Sequence, residues 1–138
     1  MSSGIYTNFK LNLMNKVVDL EADTINVALF ANDLTFTAAD DTYSTTFNGT
    51  EHATANGYTA GGVALAGKAV SEVGTTAKWD ATDAAWTATT ALTAYFAVIY
   101  DVTATNTLIA CIDFGGAKTA TGGTFTIQWH ADGIIVLS

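Results

Sequence analysis

The spacing of apolar positions divides the chain into a short helical stretch and a long β-rich remainder. Between residues 4 and 18, Ile5, Tyr6, Phe9, Leu13 and Val17 fall on one stripe at helical spacing, with Asn8, Asn12 and Asn15 mostly opposite. Ser2 and Ser3 are candidate caps, so the pattern predicts one amphipathic helix over about 4–18. Such a helix either lies on a sheet face or projects as an arm onto a neighbouring subunit. From residue 24 the period becomes two. Thr24–Ala31 (TINVALFA) predicts a strand with Ile25, Val27 and Leu29 on one side. Further strands are expected at 63–73, 78–81 and 85–89, the last two carrying Trp79 and Trp86.

The last third is the densest in strand signals: 92–101, 107–114, 123–129 and 133–137. In 93–101 both faces are apolar, with Tyr95, Ala97 and Ile99 on one and Ala94, Phe96, Val98 and Tyr100 on the other. A strand of this kind is covered on both sides. Phe125, Ile127 and Trp129 alternate with Thr124, Thr126 and Gln128, the pattern of a sheet with one wet face. The sequence His130-Ala131-Asp132-Gly133 is a turn signal, and an antiparallel meander closing on a terminal hairpin is the expectation. Between 32 and 62 the periodicity fails. That excursion is rich in Asn, Asp, Thr, Ser and Gly, interrupted by Leu34, Phe36, Tyr43 and Phe47. It is either a partner-specific contact surface or a loop pinned down by its own aromatics.

Composition narrows the picture. The chain has 138 residues, a single-domain length (1–138) with room for a substantial core. Only 13% of residues are charged, about half the usual share, and Ala and Thr fill the difference. A threonine- and alanine-coated surface suits broad, flat protein contacts, since few long charged side chains must be desolvated; it also suits plain solubility. The formal charge is −8, and the five basic residues are scattered. Nucleic-acid binding needs clustered cations to displace counterions, so it is not expected. No apolar run approaches the ~20 residues of a membrane-spanning helix, and the start MSSGIYTNF lacks the pattern of a signal peptide. The lone Cys111, flanked by Ile109 and Ile112, reads as a small core residue.

Candidate chemistry is sparse. Asp19, Glu21 and Asp23 alternate like the opening of a calcium loop, but Thr24 stands where that loop needs Gly and Phe30 where it needs Glu, so a solvated turn is expected. His52 and His130 have no second ligand at metal spacing. Gly57-Tyr58-Thr59-Ala60-Gly61-Gly62 lacks the Lys-Ser/Thr of a phosphate loop and precedes a strand. Asn48-Gly49-Thr50 matches a glycosylation sequon, to which no role is assigned. Asp101 and Asp113 fall on neighbouring strands that can bring two carboxylates face to face for glycosidase chemistry, although strand-end aspartates near turns are common without it. No catalytic, cofactor-binding or metal-binding residue is assigned, and no enzyme activity is expected.

The segments GYTAGG at 57–62, YFAVIYD at 95–101, LIACIDFG at 108–115 and GTFTIQWHADGI at 123–134 resemble a family of small virion proteins of tailed bacteriophages. The N-terminal IYTNFKLNLMN and DLEADTINVALF fit the same pattern. The resemblance implies a structural component of the particle, foremost a head decoration (cement) protein that binds the phage major capsid protein on the outside of the shell. Its localisation would be the virion, after synthesis in the host cytoplasm. The alternative is a tail- or fibre-associated adhesin recognising a host glycan, which needs an exposed Trp79, Trp86 or Tyr58. The expected fold is mainly β, an antiparallel sandwich or flattened barrel of seven to nine strands with one N-terminal helix. Symmetry favours a homo-oligomer, dimer or trimer.

Overall fold

The computed structural model describes residues 3–44 and 49–138. Among them the chain forms ten antiparallel strands and one helix. These are β1 (Gly4–Ile5), α1 (Thr7–Met14), β2 (Ile25–Phe30), β3 (Val63–Ala64), β4 (Ala69–Val73), β5 (Thr76–Asp80), β6 (Ala84–Thr87), β7 (Ala91–Asp101), β8 (Thr107–Thr121), β9 (Thr124–Ile127) and β10 (Ile135–Leu137). The mainly-β, sandwich-like architecture read from the sequence is the one observed.

A five-stranded sheet in the order β1-β8-β7-β2-β3 forms the central layer. Its backbone is the β7–β8 hairpin, with β2 laid against β7 from Ile25↔Asp101 to Phe30↔Phe96. One face carries Ile25, Val27, Leu29, Ala97, Ile99 and Ile109, and packs against two smaller sheets, β10-β5-β4 and β6-β9. Trp79, Trp86, Phe125, Ile127 and Ile135 come from those smaller sheets into the same core. The opposite face carries Ala28, Phe30, Phe96, Val98, Tyr100 and Leu108. It is covered by Tyr6 and by Leu34 and Tyr43 of the excursion. Two covered faces explain why β2 and β7 are apolar on both sides.

Four local expectations change. The helix spans Thr7–Met14 rather than 4–18, because Gly4 and Ile5 pair with Cys111 and Ala110 of β8 and Lys16 turns into the left-handed region (φ 63°). Ser3 caps no helix; its Oγ accepts the Asp113 N–H at 2.8 Å, and Ser2 lies outside the described residues. The expected strand at 63–73 is two strands, divided at Gly67 (φ 62°), where an added Cβ would sit 2.6 Å from Thr82 Oγ1. The terminal segments do not form a meander. The His130–Gly133 turn forms, with Gly133 N–H donating to His130 O at 2.9 Å. Yet β9 pairs with β6, and β10 with β5. Finally, the alternation along β7 shifts by one across the irregularity between Ala94 and Phe96, which sets Ala94 in the core with Ala97 and Ile99 instead of opposite them.

The edges of the five-stranded sheet are blunted. β1 and β3 have two residues each. Beyond β1, the outer edge of β8 is interrupted where Asp113 Oδ1 accepts the Gly115 N–H at 2.8 Å, followed by Gly116 at φ 145° and the charged Lys118. These devices discourage strand addition.

Candidate functional site

The excursion from 32 to 62 is organised by one carboxylate. Glu51 forms an isolated bridge with Phe30 at the end of β2, which sets its side chain among three donors. Tyr58 OH donates to Oε1 at 2.6 Å, Gly61 N–H donates to the same oxygen at 2.5 Å, and Tyr43 OH donates to Oε2. Tyr58 Oη also accepts the Leu29 N–H at 3.1 Å, so its hydroxyl is satisfied in both roles deep in the core. Tyr100 OH donates to Gly61 O at 2.5 Å, and its ring stacks on Tyr43 at 4.0 Å between centroids. Burial first, and the Glu51 carboxylate second, raise the Tyr43 and Tyr58 phenols well above their ordinary value, so both hydroxyls stay protonated donors. The Gly57–Gly62 segment can lie this close only without side chains: at Gly62 (φ 84°) a Cβ would fall 1.9 Å from Val27 O. Its glycines serve close packing against β2.

This clasp was not visible as a site in the sequence, where Glu51 is one acid in a polar loop. The weak signal was a carboxylate between two tyrosines and a glycine-rich turn. Of the two expectations for the excursion, the described residues fit the packed loop: Leu34, Tyr43 and Tyr58 are buried and Phe36 is partly so. Phe47 and Asn48 lie outside the described residues.

The other sequence candidates scatter. Asp101 ends β7 opposite Thr107, whereas Asp113 lies across from Phe96, so the two carboxylates sit at separate points along the hairpin and do not pair. Asp101 meets a different partner. It is fully buried; Oδ1 accepts the Ala104 N–H at 3.0 Å, while Oδ2 has no donor among the described residues. Burial foremost, and then contact with the Asp23 carboxyl, push Asp101 up to about 7. The Asp19–Asp23 segment is the solvent-facing turn expected, and Asp19 caps it, Oδ1 accepting the Glu21 and Ala22 N–H groups at 3.0 Å each, which lowers its pKa. Among the described residues no three His, Cys, Asp or Glu side chains are gathered as a metal site would need.

His52 Nδ1 contacts its neighbour's carbonyl, Ala53 O, at 2.7 Å. His130 pairs with Asp132 at 3.4 Å on an exposed loop. Cys111 is buried, and burial pushes its thiol up to about 12, so it behaves as the core residue expected. Trp79, Trp86 and Tyr58 are all buried, and Trp79 Nε1 donates to Leu20 O at 2.9 Å. They offer no open platform for a sugar.

Two concavities stand out among the described residues. The larger, about 780 Å³, runs between the outer half of β8, β9 and the following turn; half-buried Phe114 and Trp129 line it, with Gln128, Lys118 and His130 at its rim. The smaller, about 380 Å³, lies between the end of α1 and the β10-β5-β4 sheet, walled by Leu13, Val70, Ala77 and Leu137. Val70 and Leu137 of its wall are themselves exposed, as are Met14 at the end of α1 and Val17 after it. Among the described residues no helix is long and apolar enough to cross a membrane. Comparison of the chain with known protein families, with curated proteins and with solved structures finds no match.

Proposed function

We propose that this chain is a structural protein that works by docking on other protein surfaces, and that its place is the outside of a tailed-bacteriophage head, bound to the major capsid protein. The observation that carries the docking part is the distribution of apolar and polar groups. The chain has few charges, its core is closed by a tyrosine–carboxylate clasp, and it nevertheless leaves Leu11, Met14, Val17, Val70 and Leu137 exposed. Exposed apolar groups gathered around one groove mark contact surfaces. The phage assignment is supported by the sequence resemblance alone. In this role the protein has no reaction to perform. It binds the assembled lattice, and binding that favours the assembled state stabilises it by mass action. Imaging of particles made with and without the gene tests the proposal: added density over the shell is expected, and density confined to the tail overturns the head assignment.

A glycan-binding adhesin is the second reading, and one observation keeps it in play. Trp129 lines the larger groove beside Gln128 and His130, an aromatic wall with polar groups at its rim. Trp129→Ala should then abolish attachment to host cells while leaving heads normal; unchanged attachment removes this reading.

A further inference from the structure

The β4 edge lacks the guards found on the five-stranded sheet. β4 ends the three-stranded sheet, pairs with β5 there, and exposes all of its residues from Ala69 to Val73. The pairing with β5 runs without a bulge, and the chain contains no proline to interrupt the edge. The turn sets the phase of the free backbone groups. Gly74-Thr75 is a two-residue loop with Gly74 at φ 61°, which makes Val73↔Thr76 a hydrogen-bonded pair. Bonded and non-bonded pairs alternate along an antiparallel ladder, so Ser71 and Ala69 also spend their N–H and C=O groups on β5. Val70 and Glu72 direct theirs outward, where neither N–H meets a backbone acceptor among the described residues.

The sequence of the edge selects what fits it. Lys68, Val70 and Glu72 share one face, the face on which Val70 stands opposite Trp79. A two-fold axis that pairs β4 antiparallel with its own copy must pass through a residue, because paired residues lie on one face. Through Val70 it sets Val70 against Val70 and Lys68 against Glu72 twice over. Through Glu72 it sets like charges together, and through Ala69 or Ser71 it leaves Lys68 facing Val70 or Gly74. The Val70 register is therefore the one that matches charge, and in it the outward backbone groups also meet as hydrogen-bonded pairs. Neither Lys68 nor Glu72 takes part in an ion pair among the described residues; Lys68 Nζ reaches the nearby Leu65 O at 3.3 Å. A strand of another protein would have to carry the same cation, apolar residue and anion at the same spacing. This chain already carries them.

We infer that two copies of the chain join edge to edge through β4, antiparallel about a two-fold axis at Val70, so that their three-stranded sheets become one. The inference goes beyond the docking role and does not depend on it. The contact runs along a backbone edge and is distinct from the 380 Å³ groove, and the two-fold axis sets the grooves of both copies on the same side of the joined sheet.

Sedimentation and light scattering of the full chain over a wide concentration range read the association. The intact protein should form a dimer. Lys68→Glu and Glu72→Lys should each weaken it at least tenfold, since each sets like charges opposite one another, and the double variant should restore it. Mixing the two single variants should give a mixed dimer, because every facing pair is then again of unlike charge. Thermal unfolding at low concentration verifies that each variant is folded. A second reading comes from cross-linking. The Cα atoms of a hydrogen-bonded antiparallel pair lie about 5.5 Å apart, within disulfide reach, so Val70→Cys should link to its own copy under mild oxidation. Val73→Cys, which faces Gly67 in this register and is 64% exposed in the intact chain, should not. A monomer at every concentration overturns the inference. So does a dimer indifferent to both charge substitutions, a mixture of the single variants that fails to associate, or equal cross-linking at Val73→Cys. Head occupancy, measured separately, reports on the docking role and not on this contact.

Discussion

Replacing Glu51 tests whether a single carboxylate holds the excursion against the central sheet. Three donors converge on it: Tyr58 OH at 2.6 Å, Gly61 N–H at 2.5 Å and Tyr43 OH. A hydrogen bond to a charged group contributes about 1.5–3 kcal/mol net, so three independent ones would sum to roughly 4.5–9 kcal/mol. They are not independent, since they share one side chain and Glu51 is only partly buried, which lets water reach some of the vacated donors. Glu51→Ala should therefore lower the unfolding free energy by about 3 kcal/mol, and Glu51→Gln, which keeps one acceptor, by about half of that. At roughly 3–4 °C per kcal/mol for a chain of this size, the alanine variant should melt about 10 °C earlier. Urea unfolding followed by tryptophan fluorescence gives the free energies. A double-mutant cycle with Tyr43→Phe should return a coupling of about 1 kcal/mol or more. A loss below about 1 kcal/mol with coupling near zero would refute the clasp as the organiser of this region.

Three further outcomes follow from the geometry. Gly62→Ala sets a Cβ 1.9 Å from Val27 O in a left-handed backbone, and should cost about 3 kcal/mol or prevent folding; a neutral result in the same urea assay contradicts the close approach to β2. Asp101 holds a proton when folded that the unfolded chain has already released between the ordinary aspartate range and about 7. Stability should thus fall as pH rises through that window and level off above it, and Asp101→Asn should flatten the profile; an unchanged slope would exclude a raised Asp101 carboxyl as its source. Cys111 should react with a thiol reagent only as fast as the protein unfolds, which a comparison of modification and unfolding rates checks.

Much of the architecture was legible because it follows local rules. β2 and β7 carry uninterrupted β-branched and aromatic runs, and the turn residues between β7 and β8 stand where the hairpin bends. Cys111 and Trp79 went to the core as their side chains favour. What escaped the sequence was non-local. The partner of β9 is β6 and that of β10 is β5, and no alternation pattern encodes which distant strand completes a sheet. The one-residue shift near Ala94 was equally hidden, since it depends on extra residues accommodated in β8 around Gly115 and Gly116. The predicted helix stripe absorbed Ile5 because periodicity does not reveal that the backbone there is claimed by β8. Glu51 acquires its importance only when the fold brings Tyr43, Tyr58 and Gly61 to it. The Asp23–Asp101 contact, likewise, spans most of the chain.

The proposed role is that of a protein held against other protein surfaces on a virion shell. Its most direct measurement is the binding of purified protein to heads isolated from a phage lacking the gene, followed by co-sedimentation. Saturable binding at a fixed ratio to capsid subunits, together with greater resistance of the coated heads to heat, is the predicted result. Heads that take up no protein and gain no resistance would contradict it.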